Sequence, residues 1–217
     1  MKKILLVLLF CFGMPMITGA AVFDHPVKME SQKELTGFLS ELASYEMIEG
    51  NFKQTKTIKK LNREFVSTGK FIIWKGVGIY WVTQKPFESF LQVNDSGIAQ
   101  WDAKGNKKEI STKENPVFAE FSKLIQSVFS GNAKEVEKNF DVYFEKSGKN
   151  MIIGLVPREA AVRTVIANLV MEGSKNLEKI TITDGDGNPV VYEFSGHVLH
   201  KEFKMDPLYI YENMKGK

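Results

Sequence analysis

Histidines come first among residues that could do chemistry, because an imidazole can ligate a metal or move a proton near neutral pH. The chain has three, His25, His197 and His200. His197 and His200 stand three apart in a strand-like run over 190–200, a spacing that puts them on opposite faces of a strand instead of converging on one ion. Both read as surface residues, and His25 reads as part of a mobile N-terminal leader. Asp184-Gly185-Asp186-Gly187-Asn188 has the opening of a calcium loop, but the required glycine at the sixth position is Pro189 and no glutamate stands at the twelfth. It reads as a hairpin turn. Asp102 and Glu109 can be imagined as an acid–base pair, yet nothing in the sequence sets them apart. No nucleophile elbow, phosphate-binding glycine loop or zinc spacing is present. The expectation is a protein that is not an enzyme and holds neither metal nor cofactor.

The residues that do suggest a task are apolar. Gly69-Lys-Phe-Ile-Ile-Trp74 and Gly78-Ile-Tyr-Trp-Val82 flank a Lys75-Gly76-Val77 turn. A half-buried strand alternates apolar and polar residues, because successive side chains point to opposite faces. These two do not: Phe71 and Ile73 point one way while Ile72 and Trp74 point the other, and Ile79/Trp81 and Tyr80/Val82 repeat the pattern. A hairpin apolar on both faces must be covered on both, by packed elements, by lipid or by a ligand. Trp74, Trp81, Phe90 and Trp101 fall in successive strands, and two predicted helices offer Phe38, Leu39 and Leu42, and Phe118, Phe121, Ile125 and Phe129. Either these residues form helix-on-sheet core, or sheet and helices enclose a cavity for acyl chains. At roughly 0.8 kcal/mol per buried methylene, a few acyl chains in such a cavity offset the cost of leaving a membrane. On the cavity reading, Phe71, Trp74, Trp81, Phe90, Trp101, Phe118, Phe121, Ile125 and Phe129 are the lipid-binding candidates, under helices that act as a lid.

The elements that must position these residues are legible in outline. Ser31-Gln-Lys-Glu34 has the form of a capping box, and Leu35, Phe38, Leu39 and Leu42 follow at helical spacing, so an amphipathic helix is predicted over 31–44. Strand-like sequence runs over 51–101, with turns at 60–62, 75–76, 84–86 and 95–97. Asn115-Pro116 starts a second helix that Gly131 ends, and a shorter helix is predicted over 133–139. Strands follow over 140–146, 150–156, 162–172, 177–183 and 190–200. With no β–α–β alternation, this predicts an α+β fold: one large antiparallel sheet with a few helices on one side. The tail after Asp206-Pro207 reads equally as a docked segment or a frayed end.

Composition narrows the setting. Met1-Lys2-Lys3, an unbroken apolar run over 4–12 and Thr18-Gly19-Ala20-Ala21 form a signal-peptide pattern, with cleavage expected after Ala20. The apolar run is well short of the roughly 20 residues that span a membrane. Cleavage would remove Cys11, the single cysteine, leaving neither disulfides nor thiol chemistry. Residues 21–217 then form one domain of about 197 residues, enough for a sizeable core. Of the 29 basic residues, Lys2 and Lys3 lie in the leader, so the rest nearly balance the 26 acidic ones. Nucleic acid is not an expected partner. Lys53, Lys56, Lys59, Lys60 and Arg63 form one mildly basic stretch, which reads as a solvated strand and turn before it reads as a docking patch.

The order of several of these motifs resembles that of the periplasmic lipoprotein carriers, the LolA-like family. The resemblance rests on Phe52-x-Gln54, Gly69, Trp74, the Lys75-Gly76 turn, Trp81 and Pro86, then on 94–101, on Leu155-Val156-Pro157-Arg158 and on Asp184-Gly185-Asp186-Gly187. It covers most of the chain after the leader. It implies an unclosed (half) antiparallel β-barrel with helices covering the concave, apolar side. The implied activity is a monomeric periplasmic carrier that takes an acylated lipoprotein or lipid from an inner-membrane transporter to an outer-membrane acceptor. In that family an arginine in the hairpin turn bonds to the lid; the corresponding lid contact is Lys75, followed by Gly76 where the family has proline. Lysine can donate but lacks the planar fork of arginine. Two alternatives stay open: a carrier of a different lipid or glycolipid, and a lipid-sensing or regulatory module on the same scaffold.

Overall fold

The structure, a computed structural model, describes residues 21–94, 96–111 and 132–203, without the side chains of 110 and 111. The signal-like leader, the helix expected over 116–131 with Phe118, Phe121, Ile125 and Phe129, and the tail after Asp206-Pro207 lie outside the described residues.

Among the described residues eleven strands make one antiparallel sheet: β1 (Met47–Ile58), β2 (Arg63–Trp74), β3 (Gly78–Lys85), β4 (Ser89–Asn94), β5 (Gly97–Asp102), β6 (Lys107–Ser111), β7 (Phe140–Ser147), β8 (Asn150–Pro157), β9 (Ile166–Gly173), β10 (Leu177–Asp184) and β11 (Pro189–His200). Across the sheet they run β6-β5-β4-β3-β2-β1-β11-β10-β9-β8-β7. The first and last strands therefore meet in the middle, with Phe52 opposite Phe194. The outer strands β6 and β7 do not pair with each other, so the sheet stays unclosed.

Among the described residues three α-helices accompany the sheet: α1 (Lys33–Ala43), α2 (Ala133–Asn139) and a single turn, α3 (Ala160–Arg163). Leu35, Phe38, Leu39 and Leu42 of α1 are buried as the helical spacing predicts. They share one cluster with Phe71, Ile73 and Ile79 from one flank of the sheet and Val142, Phe144, Ile153 and Leu155 from the other. A cluster reaching both flanks means that the sheet curls around α1. At about 1.5–3 kcal/mol for each fully buried side chain, moving all of α1 outward is costly. It is a core element, so any lid movement is confined to its ends. Helix α2 starts at Asn132, whose side chain accepts from the Glu135 backbone N–H at 3.3 Å, and buries Val136.

Several local expectations change. The capping box does not form: α1 starts after Gln32, Ser31 Oγ donates to the Lys28 carbonyl in a preceding 3-10 turn, and Glu34 pairs with Lys146 instead. The strand expected from Val162 begins at Ile166, because α3 occupies the first residues. The N-terminal segment around His25, expected to be mobile, is docked. The Val27 N–H donates to the Val142 carbonyl and Phe144 N–H to the His25 carbonyl, which covers the β7 edge. Nearby, Val22 packs with Ile152 and Val170. His197 and His200 do lie on opposite faces, but both are half-buried and bonded. His197 Nε2–H donates to the Leu177 carbonyl at 2.8 Å, and His200 Nε2 lies 2.9 Å from Glu49 Oε1.

Candidate functional site

Alternation along six strands builds one apolar surface. Phe52 and Gln54 of β1, Ile79 and Trp81 of β3, Leu91 and Val93 of β4, Ile98 and Gln100 of β5, Ile180 and Ile182 of β10, and Tyr192 and Phe194 of β11 all face the same side. Each pair is two residues apart, so the pleat turns both members to one face. Together they line a cavity of ≈ 850 Å³. That lies within the roughly 300–1,000 Å³ typical of small-molecule sites. Phe65, Val66, Pro86 and Phe87 form its rim, beside the β1–β2 and β3–β4 turns. No residue of α1 lines it; α1 fills the neighbouring part of the concave face.

The floor is aromatic. Trp81 meets Phe52 at 6.3 Å and Tyr192 at 5.8 Å between ring centroids, both edge-on, and Tyr192 stacks on Phe194 at 6.3 Å. Such pairs hold one another in a fixed geometry. One polar line crosses this floor. Ser67 Oγ donates to Gln54 Oε1 at 2.9 Å, and Gln54 Nε2 donates to the Tyr192 hydroxyl at 2.9 Å. Ser67, Gln54 and Tyr192 sit directly across from one another on β2, β1 and β11, so the line also fixes register. Burial pushes the Tyr192 pKa up, with the Gln54 bond opposing it, so the phenol stays neutral. Among the described residues the Trp81 indole N–H is buried without an acceptor. A wall of this kind takes up an apolar guest and offers few points of polar attachment.

The expected site residues divide by face. Trp81 lines the cavity, and Phe71 lies on the same face but packs into the core beneath α1, against Phe194 at 4.9 Å. Trp74, Phe90 and Trp101 point the other way. Trp74 and Phe90 join Met47, Ile72, Tyr80 and Val82 in a second cluster, with Trp101 and Phe203 packed against it. Phe90 and Trp101 are directly opposed cross-strand neighbours, 5.3 Å apart. On one side the hairpin packs against core and cavity; on the other its side chains gather with Met47, Phe90, Trp101 and Phe203. Phe52, Gln54, Ile180, Ile182 and Tyr192 were not among the expected site residues. The Phe52-x-Gln54 spacing and the Ile180/Ile182 alternation carry the signal that would have found them.

Lys75 reaches α1. Its Nζ donates to the carbonyl of Ala43, the last residue of the helix, at 2.8 Å, and its backbone N–H donates to the Glu46 carbonyl at 2.9 Å. The final carbonyls of a helix have no partner within it and carry partial negative charge, so a lysine there is a stabilising cap. Directly below, Leu42 closes a narrow void of ≈ 10 Å³ with Ile48, Phe71, Ile73 and Phe194. Phe194 is shared with the large cavity. The Asp184 turn is closed by its own side chain, which accepts from the backbone N–H groups of Asn188 at 2.7 Å and Asp186 at 3.0 Å. These bonds, the Asn188 side-chain amide first, hold the Asp184 carboxyl below its ordinary pKa. Among the described residues no three His, Cys, Asp or Glu side chains gather as a metal site. Nor is any described helix long and apolar enough to cross a membrane.

A family model described as outer membrane lipoprotein carrier protein LolA matches residues 43–206. No curated protein sequence matches the chain. A LolA superfamily protein of Nitrosomonas europaea is 8% identical with a TM-score of 0.43, over 81% of this chain and 96% of that one. A DUF1329 family protein of Desulfovibrio piger is 10% identical with a TM-score of 0.44, over 84% and 96%. A chain of the MucA/MucB complex of Pseudomonas aeruginosa is 9% identical with a TM-score of 0.45, over 81% and 59%.

Proposed function

The chain belongs to the family of LolA outer membrane lipoprotein carrier proteins, and from that premise we propose that it carries acyl chains in the ≈ 850 Å³ cavity. The cargo is an acylated lipoprotein or a related lipid, taken up from an inner-membrane transporter and passed through the periplasm to an outer-membrane acceptor. The observation that carries the reading is the apolar wall built by alternate residues of six strands, from Phe52 and Trp81 to Ile180 and Tyr192. Each methylene moved from water to such a wall contributes roughly 0.8 kcal/mol. The Tyr192 hydroxyl accepts from Gln54 and so keeps its own proton for an ester or amide carbonyl at the acyl root. Titration with a monomeric fluorescent fatty acid tests the reading: saturable binding, displaced by an acylated peptide and not by the unacylated one, is expected. Failure of every acyl probe to bind would remove the cavity as a cargo site.

Release needs a part that moves, and the C-terminal turn of α1 is the best placed. Lys75 pins that turn at the Ala43 carbonyl, above the void that shares Phe194 with the cavity. Lys75→Met is expected to lower stability by about 1 kcal/mol. It should also speed exchange of a bound acyl probe severalfold in stopped-flow displacement, with Lys75→Arg restoring the slow rate. Unchanged exchange with the same loss of stability would make Lys75 a helix cap and nothing more.

A further inference from the structure

At one end of the sheet lie the turns β1–β2, β3–β4 and β10–β11 and the helix α3. They are close neighbours: the Lys59 N–H donates to Asn188 Oδ1 at 3.0 Å, and a Cβ on Gly185 would meet the Thr164 carbonyl at 2.1 Å. This end holds most of the large apolar side chains that the described residues leave in water. Phe87 is 80% exposed and Leu61 61%, with Phe65, Val66 and Val165 each about half exposed. Single exposed apolar residues are ordinary, but a group gathered on one end marks an interaction surface. Phe65, Val66 and Phe87 are also the rim of the cavity.

Charge at the same end decides what the surface suits. Lys56, Lys59, Lys60 and Arg63 stand on the β1–β2 turn and its flanks with no acidic residue among positions 56–63. None of the four forms an ion pair with another side chain among the described residues. Acidic residues stand at this end too, Glu64 on β2, Glu88 on the β3–β4 turn and Asp184 and Asp186 at the β10–β11 turn, and Lys56 helps hold the Asp184 carboxyl ionised. Exposed apolar tips set among unpaired lysines and an arginine fit a bilayer with anionic headgroups: the tips enter the interface while the cations meet phosphate.

We propose that this end of the sheet docks on anionic lipid bilayers, the β1–β2 turn leading and the cavity mouth facing the membrane. Docked this way, Phe65 and Phe87 hold the cavity mouth at the membrane surface, where cargo is taken up and delivered. The mouth-down orientation rests on reading the cavity as the acyl site; the docking itself does not. The interaction is electrostatically assisted and weakens with salt, because the screening length shrinks from about 10 Å at 0.1 M to about 3 Å at 1 M.

Co-sedimentation of the purified protein with vesicles tests the proposal, using phosphatidylglycerol-rich and pure phosphatidylcholine vesicles at low and high salt. Binding to the anionic vesicles alone, lost at high salt, is expected. Leu61→Ser should weaken it about fivefold or more, and the double change Lys59→Glu/Lys60→Glu at least about thirtyfold. None of these residues lines the cavity. Binding of a monomeric fatty acid without vesicles should be unchanged in them. Conversely, a Leu91→Asp chain should still sediment with vesicles while losing the fatty acid, so the docking surface and the cavity fail separately. Equal binding to both vesicle types, binding insensitive to Leu61 and the lysines, or a Leu61-dependent dimer in sedimentation velocity would each overturn the proposal.

Discussion

Leu91→Asp is expected to abolish acyl binding, and Trp101→Ala to leave it intact. Leu91 lies in the middle of β4, directly across from Trp81 on β3 and Gln100 on β5, and faces the cavity. A carboxylate there meets no cation among the described residues that line the cavity, and its desolvation by an acyl chain costs several kcal/mol. Affinity for a fluorescent fatty acid should therefore fall by at least about a hundredfold. Leu91 is only half-buried without cargo, so the empty protein should keep its fold, as circular dichroism would show. Trp101 is as large and as aromatic as any residue of the cavity, but it sits on the other face against Phe90, under the Lys107 ammonium at 5.0 Å. Truncating it should cost stability and leave acyl affinity within about twofold. If Trp101→Ala removed binding and Leu91→Asp did not, the cargo site would lie on the face opposite to the one assigned.

Gly69→Ala carries the largest expected stability effect. A Cβ at Gly69 would lie 1.9 Å from the Val82 carbonyl oxygen and 2.9 Å from its carbon, both backbone atoms of β3. The β2–β3 register shifts at this point, between Thr68 and Gly69, and the bulge brings the two backbones together. A side chain can rotate away from a clash; a central strand cannot. Separating the strands strains the pairing that aligns Phe52, opposite Gly69 on β1, with Trp81. The substitution should cost about 3 kcal/mol or more, lowering Tm by roughly 6–12 °C for a chain of this size. Gly37 gives the opposite sign. It lies inside α1 with nothing within 4 Å of a built Cβ, so Gly37→Ala should raise stability by about 0.5–1 kcal/mol. Thermal melts of the two variants check both directions, and an unchanged Tm for Gly69→Ala would contradict the close approach of β2 and β3.

Much of the fold was legible because its signals are local. The α1 stripe, the 133–139 helix and the turns at 60–62 and 75–76 depend on residues within one turn of the chain. So did the clue that the β2–β3 hairpin needs cover on both faces. What the sequence did not disclose is which cover belongs to which face. Trp74, Trp81, Phe90 and Trp101 look equivalent in sequence, and only the register separates Trp81 from the other three, since Phe90 opposes both Val82 and Trp101. The Ser31–Glu34 box failed for a tertiary reason: Glu34 finds Lys146 of β7, from the far flank of the sheet. The docking of the segment around His25 escaped notice because its bonds are backbone bonds to Val142 and Phe144, which leave no trace in side-chain pattern. The β10–β11 wall was missed where irregular pairing between Leu177 and Lys179 interrupts alternation, so Leu177 and Ile180 both join the core.

Whether the concave cavity holds acyl chains is tested most directly by native mass spectrometry of the protein exported to a bacterial periplasm and purified without detergent. A stoichiometric acylated species is expected, lost when Leu91 is changed to Asp, and its mass names the cargo class. An empty protein that also rejects added lipids and acylated peptides would contradict acyl carriage, returning Phe52, Trp81 and Tyr192 to the core and leaving a partner-binding module on the same sheet.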